Sequence, residues 1–143
     1  MEARFGTYEH VEVHVDGPVA VVELARPDKG NAANVQMLVD LLGALDRVDA
    51  YDEIGAVVLA GQGRNFCVGA DLQAGFQRVD AEWPPVFQAF VDRFGTFDGV
   101  PRDPGGVVTM RMAAMRTPLV VAVHGAAVGV GASLLLPCDI RVV

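Results

Sequence analysis

The chain has 143 residues, of which 52% are hydrophobic and 20% charged, and its formal net charge is −7. This composition excludes a disordered chain, and the length suits one domain that buries roughly two thirds of its unfolded surface. The acidic balance argues against unassisted binding to nucleic acid or an anionic membrane, and the longest apolar run, residues 118–123, is too short to span a bilayer.

The opening MEARFGTYEH lacks an apolar signal core. Two separated cysteines, Cys67 and Cys138, make neither a disulfide scaffold nor a zinc site, so no metal is expected. The expectation is a cytoplasmic protein with reduced, buried thiols.

The first strand is predicted from Val11, Val13 and Val15, which alternate with Glu12 and His14. Asp16, Gly17 and Pro18 make a turn, and residues 19–24 return as the second strand of a hairpin. Asn34 is the expected N-cap of an amphipathic helix carrying Val35, Leu38, Leu41, Leu42, Leu45 and Val48, which ends near Asp49. Residues 56–60 form a short apolar strand. A strand, a helix and a strand in this order imply an α/β crossover with both sheet faces covered. Residues 66–68 are expected to add one more short strand.

Further on, Trp83, Val86, Phe87, Phe90, Val91 and Phe94 have helical spacing. Residues 95–106, which include Pro101 and Pro104, are expected to be a loop, followed by a helix over 107–116 that Pro118 stops. Residues 119–123 form a buried strand, residues 131–137 leave room for a short helical segment, and residues 140–143 form a last strand. That strand ends the sequence without a cap or polar tail, so either a partner chain completes it or the sequence is a fragment.

Two glycine-rich stretches carry the functional signal: NFCVGADL at 65–72 and GAAVGVG at 125–131. Each follows an apolar strand. Glycine lets the backbone turn sharply and lets a ligand approach it, so Gly69 can aim the Ala70 N–H outward, and Gly129 with Gly131 can do the same for Val130. Two such amides can converge on one oxygen, which suits a thioester carbonyl becoming an enolate or a tetrahedral oxyanion. Losing one donor of such a pair typically costs about 2.7 to 4 kcal/mol of transition-state stabilisation. Neither stretch has the spacing of a dinucleotide or Walker fingerprint, and Ser133 does not sit in a nucleophile elbow.

Three ordered segments, VAVVELARPDKGNAANVQM, AVVLAGQGRNFCVGADL and TPLVVAVHGAAVGVGASLLLPCDIRV, together resemble the amino-terminal half of the crotonase superfamily, also called the enoyl-CoA hydratase/isomerase family. The resemblance implies a ββα spiral core, here a single incomplete unit over 1–143 that stops before the C-terminal helical region. It also implies an acyl-CoA substrate, with coenzyme A as part of the substrate and no separate cofactor, and a homotrimer or hexamer. It assigns the oxyanion donors to the backbone of Ala70 and Val130. It places Asp71, Leu72 and Gln73 beside the thioester and CoA arm, and Arg26 and Lys29 near the CoA nucleotide. Family members often carry glycine where this chain has Val130, and the added isopropyl group is expected to narrow the acyl channel.

Ser133 stands where hydratases of this family carry the first of two catalytic glutamates, and the second position falls beyond Val143. Hydration needs one group to deprotonate water and another to protonate the α carbon, and serine is no proton carrier near neutral pH. Isomerisation or related enolate chemistry is therefore expected ahead of hydration. The competing expectation is a catalytically inactive acyl-CoA-binding or assembly protein of the same fold. His124 is expected to be hydrogen-bonded at a strand end, Asp139 to bond the backbone at the last strand, Asp71 to bond a turn, and Cys67 to be packed.

Overall fold

The computed structural model describes residues 2–74 and 82–143. Strands β1 (Val11–Asp16) and β2 (Val19–Leu24) pair antiparallel, and β2 then pairs in parallel with β3 (Ala56–Gly61). Strand β6 (Leu119–Ala122) and strand β7 (Ile140–Val142) extend the sheet, whose order is β1-β2-β3-β6-β7. The architecture is α/β, as expected.

Helix α1 (Val35–Asp49) crosses from β2 to β3 and begins as its cap residue dictates, with Asn34 Oδ1 accepting the Met37 N–H at 2.8 Å. Its apolar stripe, including Leu41, Leu45 and Val48, is buried with Val22, Leu24, Val57, Leu59 and Val121 in one core. The opposite sheet face differs from the expectation of two covered faces. Among the described residues, Val21, Val58 and Val120 lie half-buried there in register across neighbouring strands, followed by exposed Ile140. The β1–β2 end of this face carries Glu12, His14 and Glu23, whose imidazole lies 3.3 and 3.1 Å from the two carboxylates.

Behind the sheet, residues after β2, β3 and β6 run alongside one another as a second layer. Single parallel bridges join Ala33 to Ala70 and Cys67 to Ala127, so residues 66–68 supply one bridge rather than the short strand expected. Strand followed by second-layer segment makes each turn of a spiral.

Helix α2 (Pro85–Phe94) turns Phe87, Phe90 and Val91 inward. The expected loop that follows contains a small hairpin, β4 (Thr96–Phe97) with β5 (Val100–Pro101), and helix α3 (Pro104–Ala113) starts three residues earlier than expected. Asp103 caps α3 by accepting the Gly106 N–H at 2.6 Å, and Pro104 occupies its first turn, where a missing N–H costs nothing. Arg111 fastens α3 to α1 through Asp46 at 2.6 Å and Asp49 at 2.9 Å. Asp49 also accepts the Thr117 N–H at 2.9 Å. Burial alone would raise the Asp49 pKa, but the hydrogen bonds from Arg111 and Thr117 outweigh it and hold the carboxyl below its ordinary value.

Helix α4 (Val130–Ser133) is one turn, shorter and earlier than the 131–137 segment expected. At the last strand, Asp139 Oδ2 accepts the Leu119 N–H at 2.8 Å, the structural role anticipated for it.

Candidate functional site

The second layer is held together by two asparagines. Asn31 is fully buried; its amide nitrogen donates to the carbonyls of Gln62 at 2.8 Å and Asn65 at 2.9 Å, and its oxygen accepts the Arg26 N–H at 2.9 Å. Its backbone lies at φ 56, a left-handed conformation that asparagine tolerates better than most side chains. Asn65 continues the chain of bonds, its Oδ1 accepting the Ala126 N–H at 2.9 Å. His124 Nε2 meets the Gly63 carbonyl at 2.7 Å, and its own carbonyl accepts the Phe66 N–H at 2.8 Å. These bonds pin together the turn after β2, the loop after β3 and the loop after β6.

Pinned in this way, the two glycine-rich stretches touch. The Cys67 N–H donates to Ala126 O at 3.0 Å, and the Val128 N–H donates to Cys67 O at 3.0 Å. Gly69 at φ 107 and Gly129 at φ 56 then turn against each other, so closely that a Cβ on Gly129 would lie 3.7 Å from the Gly69 Cα. Gly131 has no room for a side chain, since its Cβ would fall 2.3 Å from the Cys67 carbonyl oxygen. Directly after the two facing glycines stand Ala70 and Val130. Their neighbours Asp71, Gly131 and Ser133 donate to Ala33, Val128 and Gly129, whereas the Ala70 and Val130 amides make no hydrogen bond among the described residues. Two N–H groups on adjoining turns are thus left for an outside acceptor.

Ala70 also borders a cavity of about 600 Å³ between α1, α2 and the start of α3, walled by Val35, Leu38, Trp83, Phe87 and Val100. Val130 is not among its lining residues. Its Cγ2 instead lies 2.8 Å from where a Cβ on Gly105 would be, so the isopropyl group packs on α3 and does not narrow this cavity.

The remaining expected site residues divide. Arg26 and Asp71 form an ion pair at 3.1 Å with both side chains only 12% exposed, and Arg26 also donates to the Ala32 carbonyl. Asp71 Oδ1 accepts the Gln73 N–H at 3.0 Å, the turn-bonding role expected of it. Lys29, Leu72 and Gln73 are exposed around this pair. Ser133 is also exposed and its hydroxyl turns back to the Gly129 carbonyl at 3.3 Å within its own helix. Cys67 is buried beneath both loops, and burial pushes its thiol pKa up. The sequence reading missed Asn31, Asn65 and the Arg26–Asp71 pair; only the asparagine at a turn after R-P left a local trace of them.

The fold defines the class: an α/β spiral in which β2, β3 and β6 are each followed by a segment bridged to its neighbour. The family model for enoyl-CoA hydratase/isomerase matches residues 15–143, and the chain belongs to that family. It is 34% identical over 134 residues to the enoyl-CoA hydratase ACTT3 of Alternaria alternata, covering 91% of this chain and 40% of that protein. It is also 34% identical over 134 residues to 4-chlorobenzoyl coenzyme A dehalogenase-2 of an Arthrobacter species, covering 93% and 44%. An enoyl-CoA hydratase/isomerase structure from Xanthobacter autotrophicus Py2 superposes with a TM-score of 0.74 at 26% identity, covering 94% of this chain and 46% of that one. The chain thus spans less than half the length of these relatives. The crotonase-type spiral expected from the sequence is the fold observed. No helix among the described residues is long and apolar enough to cross a membrane.

Proposed function

We propose that this chain carries the thioester-polarising half of an acyl-CoA enzyme that works through an enolate, with isomerisation or related enolate chemistry preferred over hydration. The observation that carries the reading is the pair of amides of Ala70 and Val130, unbonded among the described residues, on mutually packed glycine turns, with Ala70 at the edge of an apolar cavity. A thioester oxygen accepting both N–H groups would gain stabilisation as negative charge builds on it, and the acyl chain would lie against Val35, Trp83 and Phe87. A base from outside the described residues would take a proton from the acyl chain, the C–H electron pair moving to that oxygen, and would return the proton at another carbon to complete an isomerisation.

The side chains gathered here favour enolate stabilisation over water addition. Asp71 is tied to Arg26 and to the Gln73 amide, and Ser133 is bonded to its own helix, so neither resembles a poised proton carrier. For the CoA portion, exposed Lys29 suits a phosphate, whereas Arg26 holds the Asp71 turn in place; Leu72 and Gln73 flank the path of the pantetheine arm. A homotrimer or hexamer in the cytoplasm accords with the family and with two free, buried thiols.

The test is α- or γ-proton exchange in deuterated water with a short enoyl-CoA, measured beside hydration on the same sample. Exchange or double-bond migration without hydration supports the reading. Hydration at the rate of a two-carboxylate enzyme overturns the preference. The bonded state of Ser133 specifically favours a second reading, an acyl-CoA binder without turnover, which tight binding with no exchange would establish.

A further inference from the structure

We propose that Gly105 is a positioning residue for the Val130 amide. The space left by its absent side chain on α3 is the slot filled by the Val130 isopropyl group, and this interlock sets the orientation of the α4 turn. The inference rests on the oxyanion reading of Val130 given above.

Gly105 is buried in the first turn of α3, and its φ lies outside the left-handed region, so the backbone itself would accept an alanine. Alanine would be the better helix former. What stands in the way is contact: a Cβ at this position would lie 2.8 Å from Val130 Cγ2 and 3.1 Å from Asp103 Oδ2. Val130 is branched at Cβ and stiff about χ1 in a helix, so its methyl group cannot swing aside freely. Either the α4 turn or the start of α3 would have to move.

Of the two, α4 is the weaker. It spans four residues, too few to hold its own geometry, and its position comes from packing. Gly131 lies so near the Cys67 carbonyl that a Cβ there would clash with it, and α3 packs against Val130 at Gly105. By contrast α3 is anchored at both ends, by the Asp103 cap at its start and by Arg111 bound to Asp46 and Asp49 near its close. A side chain at Gly105 would therefore push on Val130 and rotate its N–H. Asp103 and Pro104, directly before Gly105, line the acyl cavity, so one turn of α3 both bounds that cavity and seats the donor.

The experiment uses 4-dimethylaminocinnamoyl-CoA, a conjugated thioester whose absorbance moves to the red when its carbonyl is polarised. The shift and the Kd are read in one titration for the unmodified protein and for Gly105→Ala, Gly105→Ala/Val130→Ala and Gly106→Ala. Gly106 is the control, because a Cβ there would meet only Asp103, at 3.4 Å or more. Gly105→Ala should lose most of the red shift while still binding the probe. The double variant, which removes the offending methyl groups, should regain it, and Gly106→Ala should keep it. Retention of the full shift in Gly105→Ala overturns the inference and leaves the oxyanion reading standing. Absence of a shift in the unmodified protein overturns both. If Gly105→Ala does not fold, a folded double variant with the shift restored supports the interlock, and a folded double variant without it overturns the interlock.

Discussion

The loop junction behind Ala70 and Val130 and the Ser133 side chain, three residues past Val130, are opposite in construction. At the junction, Asn31 and Asn65 are buried or half-buried and bonded across three separate loops, and the main chains of Cys67, Ala126 and Val128 interlock. At Ser133, an exposed hydroxyl bonds, among the described residues, only the carbonyl of Gly129, the cap residue of its own helix. Buried polar networks are costly unless every member is satisfied, so a fully satisfied one marks where position is held most firmly. In this protein that firmness goes to the backbone around Ala70 and Val130, and none of it goes to the Ser133 side chain.

Breaking the junction should have the largest effect. Asn31→Ala leaves the Gln62 and Asn65 carbonyls and the Arg26 N–H without their partner and places alanine in a left-handed conformation. A loss of about 3 kcal/mol or more in unfolding free energy is expected, from buried groups left unpaired and from the backbone cost. Urea titration gives that number. Thioester polarisation should vanish in whatever fraction stays folded.

Asp49→Asn provides the counterpart at a distance from the site. It removes the charge that Arg111 and the Thr117 N–H surround, and because Arg111 is partly solvated, about 2 kcal/mol is expected rather than the full cost of breaking a buried pair. The pH dependence follows from the lowered pKa. A carboxyl held below its unfolded value contributes stability above that unfolded value, near pH 4, and loses it as pH falls through the folded pKa. Stability measured from pH 6 down to pH 2 should fall less steeply in Asp49→Asn than in the unmodified protein. Thioester polarisation should persist in the variant, separating loss of stability from loss of the site.

Thiol labelling gives a smaller effect that reports on the same junction. Burial raises the pKa of both thiols, that of Cys138 to about 11 despite nearby Arg141, and both are therefore protonated and shielded at pH 8. Native protein should resist a maleimide for hours. In Asn31→Ala, Cys67 should label ahead of Cys138, because it lies under the loops that Asn31 ties.

What could be read from the sequence follows the range of the interactions. The hairpin, α1 and its Asn34 cap, and the two glycine turns rest on residues within a few positions of one another, and all were legible. The start of α3 was misplaced because Asp103, Pro104, Gly105 and Gly106 have the composition of a turn, although Asp103 and Pro104 are equally a cap and a first helical residue. The Asn31 bonds to Gln62 and Asn65, and the Arg26 pair with Asp71, join residues more than thirty positions apart. No local pattern encodes such partners. The Val130 side chain illustrates the same limit: its presence could be read, but its direction, onto Gly105 and away from the cavity, depends on where α3 lies.

The smallest expected effect sharpens the comparison most. Ser133→Ala removes a hydroxyl whose only bond among the described residues is an exposed one to Gly129, so stability should change by no more than about 0.5 kcal/mol. Proton exchange into a bound enoyl-CoA should also continue at the unmodified rate if the amides of Ala70 and Val130 carry the catalytic stabilisation. A large loss of exchange with binding intact would give the serine a direct part in proton transfer. The firmly built junction and the loosely held turn would then have to be treated as one catalytic unit, with the exposed hydroxyl acting only once substrate has drawn it away from Gly129.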